Sequence, residues 1–148
     1  MVHLLSVLFV ICFSLLSFSP SAEASLATER ISISDGLPDS VVFSLAQDDR
    51  GYLWFGTTNG LSRYNGYEMK NFNSDPLSSN FLSNNSISHL QIDHQKRLWI
   101  STWGGGVNVM SLDGQVKLLL QQKESEENNI SSNFVQVTLE DSQGYIWI

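Results

Sequence analysis

The feature that most constrains this chain is a short segment that occurs three times. It runs from Asp48 to Thr57, returns from Asp93 to Thr102 and returns again from Asp141 to Ile148. In each copy an aspartate stands six positions before a tryptophan, and the tryptophans at positions 54, 99 and 147 are 45 and 48 residues apart. A period of about 40–50 residues with strand-rich units is typical of propeller blades.

The start of each segment has the composition of a tight turn. Asp48 to Gly51 and Asp141 to Gly144 suit a type I turn, because the aspartate can hydrogen-bond the turn backbone and the glycine accepts a positive φ. The second copy has Lys96 where the other two have glycine. If this turn keeps the same shape, Lys96 must adopt a left-handed backbone conformation.

The residues around each tryptophan are apolar on both faces of a predicted strand, which is typical of a strand covered on both sides. A propeller covers its strands in this way because each blade packs between two neighbours. We therefore expect Trp54 and Trp99 to be buried between blades. Turn signals delimit further strands, predicted at Leu61 to Tyr64, Tyr67 to Phe72, Val107 to Leu112 and Gln115 to Leu120.

These patterns predict an all-β fold, a β-propeller of four-stranded blades that is incomplete, with about two and a half blades. The repeats are predicted at residues 37–73, 82–121 and, truncated, 130–148, within a domain over 25–148. Glu29 to Ser34 is predicted to form the outer strand of the final blade and so to close the ring. The structural residues of the repeats are Asp48, Gly51, Trp54, Gly56, Asp93, Trp99, Asp141, Gly144 and Trp147.

The amino terminus has the pattern of a secretory signal. Leu4 to Phe18 is mostly apolar, and Ala22 to Ala24 reads Ala-Glu-Ala, which fits a cleavage site. We predict a signal peptide helix over residues 1–24; the alternative is an uncleaved anchor helix. Cys12 is the single cysteine, so cleavage would leave no disulfide or thiol chemistry.

The charge and the titratable residues indicate what the chain does not do. Its formal net charge is −7, with no basic stripe, which argues against nucleic-acid binding. His89 and His94 make a poor metal pair, and an aspartate that recurs in every repeat is typical of a turn rather than of catalysis. We predict no catalytic residue, no metal site and no cofactor, and this segment is not expected to be an enzyme.

Trp103 is the one candidate ligand-binding residue. It stands at the mouth of the glycine-rich turn that ends at Gly106, and two further aromatic residues, Phe81 and Tyr67, lie at unknown distances from it. An exposed aromatic at this position could stack on a sugar ring or a peptide side chain. The alternative, which the sequence favours, is that Trp103 packs between blades.

The three copies together resemble the two-component regulator propeller repeat of bacterial signalling proteins. Gly36 to Gly66 follows the repeat pattern nearly throughout, Leu82 to Gly114 follows it with Lys96 and Ser101 in place of glycines, and Ile130 to Ile148 follows it to its end. The resemblance implies a partial propeller sensor domain of a signal-transduction receptor, of the two-component or cyclic-di-GMP type.

The resemblance also implies the setting of such a domain. It implies a periplasmic location, a full-length protein anchored in the inner membrane, and a histidine kinase or diguanylate cyclase output domain that follows. The expected partner is a small molecule, an oligosaccharide or a peptide, with a homodimer formed through the full-length receptor. The alternatives are a propeller enzyme acting on carbohydrate and an interaction scaffold without signalling.

Overall fold

The repeats fold as successive antiparallel sheets. The structure, a computed structural model, describes residues 27–75, 77, 81–123 and 129–148; the predicted signal peptide lies outside the described residues. Two sheets have four strands each, hydrogen-bonded in chain order, and a third has two strands. The all-β architecture of four-stranded blades is thereby confirmed.

The strands form three groups, which are named here by their repeats. The first blade contains β1 (Val42–Gln47), β2 (Leu53–Thr57), β3 (Gly60–Tyr64) and β4 (Met69–Phe72). The second blade contains β5 (Ile87–Ile92), β6 (Arg97–Thr102), β7 (Gly106–Ser111) and β8 (Val116–Leu120). The third repeat, residues 129–148, contains β9 (Leu139–Glu140) and β10 (Ile146–Trp147). No helix in the described part of the chain is long and apolar enough to cross a membrane.

The strand predicted over Glu29 to Ser34 is wrong for its last residues. Ile33–Asp35 form a 3-10 helix, and the backbone N–H and the hydroxyl of Ser32, which precedes it, both donate to the Asp35 carboxylate at 2.8 Å. The carbonyl of Gly36 then accepts a hydrogen bond from the Asn71 side chain of β4 at 3.0 Å. The alternation of isoleucine and serine predicted a strand. The hydrogen bonds between Ser32 and Asp35 favour the helical turn instead, because they satisfy polar groups within the segment itself.

Neighbouring blades pack through opposite faces of their sheets. Trp54 is fully buried, and with Ala46 it faces Leu90 and Ile100 of the second blade. On the other side of the second blade, Trp99 is 6% exposed and packs with Val135 of the third repeat. The tryptophan face of one repeat therefore covers the aliphatic face of the next, and the predicted burial of both tryptophans is confirmed.

The turn between the first two strands of each repeat is closed in the same way three times. The amide of the aspartate donates to the carbonyl four residues later, at 3.0 Å from Asp48, 3.0 Å from Asp93 and 2.9 Å from Asp141. One carboxylate oxygen accepts a backbone N–H of that same later residue, at 2.8 to 3.0 Å. The carboxylate thus holds the turn together from inside.

The second carboxylate oxygen of each aspartate binds the tryptophan of its own repeat. The indole Nε1 donates to it at 3.2 Å for Trp54 and Asp48, and at 2.8 Å for Trp99 and Asp93. The same bond in the third repeat joins Trp147 to Asp141 at 2.8 Å. A buried indole N–H needs an acceptor, and the six-residue spacing delivers one from the turn.

The two buried aspartates remain ionised in these surroundings. Burial raises the pKa of Asp48, but the hydrogen bonds from Arg50, Tyr52 and Trp54 outweigh it, so that the pKa lies below its usual value. The same holds for Asp93, where burial is opposed by Trp99 and by the backbone and guanidinium of Arg97. Each carboxylate is therefore a charged group whose donors come from its own repeat.

Arginines of the first blade reach across to the second. The guanidinium of Arg50 donates to the carbonyl of Leu112 at 2.6 Å, and that of Arg63 donates to the same carbonyl at 2.9 Å. Arg63 also lies over the ring of Trp54, 5.5 Å from its centroid. These contacts fasten the polar end of the first blade to the second, beside the buried tryptophan.

Lys96 has the left-handed backbone that its position predicts, with a φ of 61°. The matching glycines have φ values of 84° at Gly51 and 85° at Gly144. The ammonium of Lys96 pairs with the Asp49 carboxylate of the first blade, and both side chains are largely exposed. An exposed pair of this kind contributes only about 0–1 kcal/mol, which does not fully offset the backbone strain.

We predict that Lys96→Gly raises the free energy of unfolding by roughly 0.5–1 kcal/mol, since the left-handed region costs a lysine more than it costs glycine. Denaturant unfolding of the full chain measures this. Gln95→Gly, one position earlier in the same turn, is the matched control and should destabilise. Unchanged or lower stability of Lys96→Gly would show that the ion pair with Asp49 outweighs the strain.

We predict that Asp93→Asn lowers the free energy of unfolding at pH 7 by roughly 2 kcal/mol, because the amide cannot accept from all its donors and Trp99 Nε1 loses its partner. Asp113→Asn, on an exposed turn, is the control. Because the folded pKa of Asp93 lies below the unfolded value, its stabilisation is complete above about pH 4 and is lost as the pH falls further. The variant should therefore lose less stability than the wild type between pH 5 and pH 2.5; equal losses would contradict the assignment.

Candidate functional site

The loops at one end of the blades bring the second blade and the third repeat together. In an antiparallel sheet the β6–β7 loop and the connection into β5 lie at the same end. The amides of Gly104 and Gly106 both donate to the carbonyl of Asn133, at 3.0 and 2.9 Å. Gly60 of the first blade donates to the carbonyl of Asn85 in the corresponding way, at 2.8 Å. At both junctions an asparagine carbonyl of one repeat accepts hydrogen bonds from the loop of the preceding repeat.

Two exposed aromatic side chains lie opposite each other at this junction. Trp103 and Phe134 form an isolated antiparallel bridge, so their side chains emerge on the same side. Trp103 is 40% exposed and Phe134 is 66% exposed. We call this surface the aromatic rim and define it as Trp103, Phe134, Gly104 and Asn84.

Two glycines shape the loop beside the aromatic rim, Gly104 through a φ of 103° and Gly105 through close contact with its neighbours. A Cβ at Gly104 would lie 3.7 Å from both the Asn84 amide nitrogen and the ring of Phe134. At the next position a Cβ would lie 2.6 Å from Ser83 Oγ and 2.7 Å from Asn84 Cβ, so Gly105 admits no side chain. The β6–β7 loop is one residue longer than the β2–β3 loop of the first blade, and Gly104 and Gly105 add no side chain beside Trp103.

The backbone around the aromatic rim is fixed by neutral groups. The amide of Trp103 donates to the carbonyl of Ser86 at 2.9 Å. The side-chain oxygen of Asn84 accepts the Ser86 N–H at 2.8 Å, which turns the amide nitrogen outward. Phe134 N–H donates to Ser132 Oγ at 3.0 Å. The rim thus offers aromatic faces and amide donors that are held in place by hydrogen bonds, with no charged group among these contacts.

The structure separates the aromatic residues that the sequence grouped with Trp103. Tyr67 lies in the β3–β4 turn, at the opposite end of the first blade, and is 94% exposed. Phe81 lies on the connection into β5, at the same end as Trp103. Trp103 lies at the junction with the third repeat, where its side chain is 40% exposed and so is only partly covered by the neighbouring repeat.

Phe134 was missed by sequence reasoning, although a signal for it exists. Counted back from the aspartates, Phe134 occupies the position of Ser86 in the second repeat and of Val41 in the first. An aromatic residue in place of serine, at the point where a repeat crosses to its neighbour, marks a departure from the repeat. Its proximity to Trp103 could not be predicted, because it depends on the pairing across repeats.

The histidines do not form a joint site. His89 lies on β5, and its Nδ1 accepts the amide of Thr138 at 3.4 Å. His94 lies in the β5–β6 turn and pairs with the Glu140 carboxylate, which also accepts the His94 amide at 2.8 Å. Within the described ranges, no group of three or more histidine, cysteine, aspartate or glutamate side chains is arranged to hold a metal ion.

Known proteins share both the repeats and the fold. Residues 36–59 and 82–104 match the family described as two component regulator propeller. Histidine kinase P4 of Formosa agariphila is 36% identical over 75 residues, which make up 50% of this chain and 6% of that protein.

Two solved structures from B. thetaiotaomicron have the same architecture. The extracellular domain of the putative hybrid two-component system BT3049 superposes with a TM-score of 0.74 at 25% identity, over 80% of this chain and 17% of that one. The extracellular domain of BT4673 superposes with a TM-score of 0.62 at 26% identity, over 82% of this chain and 17% of that one. The chain therefore spans a small part of the length of the proteins it resembles.

These matches bear on the sequence predictions. The matched proteins are a propeller family of two-component regulators and the extracellular domains of putative hybrid two-component systems. The two matched segments contain the first two strands of each of the two four-stranded blades. The resemblance predicted from the sequence is confirmed over residues 36–59 and 82–104, which match this family.

Proposed function

We propose that this chain is part of the extracytoplasmic ligand-sensing propeller of a bacterial signal-transduction receptor. The repeats and the likeness to extracellular domains of hybrid two-component systems support this proposal. The curated relative, a histidine kinase, indicates the output that such a sensor serves. The chain itself senses, and a histidine kinase or a diguanylate cyclase elsewhere in the full-length protein responds.

The proposed organisation begins with export. Residues 1–24 serve as the signal peptide, cleaved after Ala24, and residues 25–148 form part of the propeller in the periplasm. The apolar run that ends at Phe18 and the Ala-Glu-Ala sequence support cleavage. The full-length receptor is anchored in the inner membrane and dimerises, which carries the signal across.

The ligand contacts the aromatic rim. The observation that carries this proposal is the pair of exposed aromatic side chains, Trp103 and Phe134, on two different repeats at one bridge. Binding sites combine apolar or aromatic surface with a few fixed polar groups, and Asn84 supplies an amide beside the two rings. A ligand with a planar or ring-shaped face, whether an oligosaccharide, a peptide or another small molecule, would lie across both repeats.

We predict that Trp103→Ala reduces ligand affinity about fivefold, since a stacked aromatic contributes on the order of 1 kcal/mol. The measurement is a titration of the full chain with a panel of neutral oligosaccharides and short peptides, followed through the indole N–H signals by NMR. Tyr67→Ala removes an exposed aromatic at the other end of the first blade and is the control. Binding that shifts other indole signals and survives Trp103→Ala would place the ligand elsewhere.

A further inference from the structure

The contact between the second blade and the third repeat contains four polar residues. His89 and Ser101 lie opposite each other on β5 and β6, and Gln91 lies on the same face of β5 beside Trp99. Thr138 of the third repeat packs against this face, 1% exposed. We call these four residues, His89, Gln91, Ser101 and Thr138, the polar seam.

The contact between the first and second blades has the same geometry but different chemistry. The positions that match the polar seam there are occupied by Ser44, Ala46, Gly56 and Leu90. Three of these are small, and Leu90 is buried against them in the apolar core. The chain therefore carries two versions of one contact, one with an apolar side chain on small residues and one built from polar groups.

The two versions share one hydrogen bond between repeats. At the first contact the amide of Leu90 donates to Ser44 Oγ at 2.9 Å. At the polar seam the amide of Thr138, which occupies the matching position, donates to His89 Nδ1 at 3.4 Å. A hydroxyl accepts at every ordinary pH, whereas an imidazole nitrogen accepts only while it is unprotonated.

Three buried polar atoms of the seam have no hydrogen-bond partner among the described residues: Gln91 Oε1, Ser101 Oγ and Thr138 Oγ1. Buried polar groups without a protein partner are normally satisfied by ordered water, which needs two to four such groups around it. Gln91 and Ser101 lie on the neighbouring strands β5 and β6, and Thr138 packs against them from the third repeat, so the seam is a place where ordered water can bind. The matching positions of the first contact, with alanine, glycine and leucine side chains, offer no such group.

We propose that the polar seam is a hydrated, proton-sensitive joint that loosens the third repeat from the second blade when His89 is protonated. Protonation places an N–H on Nδ1, where it faces the N–H of Thr138, so that two donors meet in a buried contact. The hydrogen bond from Thr138 to His89 is lost, while the bonds at Asn133, Val135 and Glu140 still join the two repeats, so the contact opens locally at the seam, where bound water can enter.

The charged groups on the elements around His89 are each paired elsewhere. Arg97 of β6 is bound to Asp93, Glu140 of β9 is bound to His94, and Asp141 is bound to Trp147. Burial lowers the pKa of His89 below its ordinary value near 6.5. A lowered histidine pKa means that the stabilisation is present above about pH 6.5 and is lost as the pH falls from there through the folded pKa.

The seam lies next to the aromatic rim. Phe134 of the rim stands four residues before Thr138, and Val135 between them donates to the carbonyl of Thr102 at 3.1 Å. Loosening the seam would therefore move Phe134 relative to Trp103 and weaken binding at low pH. This consequence rests on the proposed function, whereas the joint itself does not.

The test is amide hydrogen exchange of the full chain between pH 7.5 and pH 5, corrected for the intrinsic exchange rate and without any ligand. The protection of the Thr138 amide should be progressively lost over this range, because burial lowers the pKa of His89 in the folded protein, while that of Leu90 stays constant. His89→Ser recreates the acceptor found at Ser44 and should make Thr138 protection independent of pH.

Three outcomes would overturn the proposal. One is constant protection of Thr138 in the wild type. Another is an unchanged pH dependence in His89→Ser. The third is loss of the dependence in His94→Gln instead, which would assign it to the pair with Glu140. A titration of the His89 ring signal in the wild type tests the same joint without a variant, since a midpoint at or above about 6.5 also contradicts the proposal.

Discussion

The hydrogen bond from each tryptophan to the aspartate six residues earlier is the interaction on which the rest of the structure depends. It joins the turn between two strands to the apolar surface that the next repeat covers. Because the carboxylate also accepts backbone N–H groups of the turn, its charge is balanced within its own repeat. The indole can then be buried without an unsatisfied donor, which would cost about 1–3 kcal/mol. The same aspartate therefore fixes both the shape of the turn and the burial of the tryptophan between blades.

This coupling explains which parts of the fold could be predicted from the sequence. The strands, the turns and the burial of Trp54 and Trp99 are local consequences of the repeat pattern, and each agrees with the structure. Lys96 likewise adopts the backbone that its place in the repeat demands. The segment before the first repeat has no sister copy to compare with. Its alternating isoleucines predicted a strand, whereas the short-range bonds between Ser32 and Asp35 form a 3-10 helix.

The candidate site was harder to predict from the sequence, because it depends on contacts between repeats. Trp103 was recognised as a candidate from the sequence, but its partner Phe134 lies 31 positions further on and meets it only through a backbone bridge between repeats. The glycines beside Trp103 predicted a turn, and their second role, the close approach of Asn84 and Phe134, needs the fold. The polar seam could not be predicted from the sequence either. Its polar residues stand out only when they are compared with the residues at the matching positions of the first contact. The properties that distinguish one repeat of this chain from another therefore come from residues that depart from the repeat pattern, namely Lys96, Trp103, Phe134 and His89.

The central claim is that an ionised aspartate holds each buried indole. The most direct measurement is the hydrogen exchange of the indole N–H groups, followed by NMR as the pH is lowered. The account predicts slow exchange for Trp54 and Trp99 and fast exchange for the exposed Trp103. It further predicts that the slow signals change together below about pH 4, when Asp48 and Asp93 take up protons. Fast exchange of Trp54 and Trp99 at pH 7, or slow exchange that is indifferent to protonation of the aspartates, would contradict it.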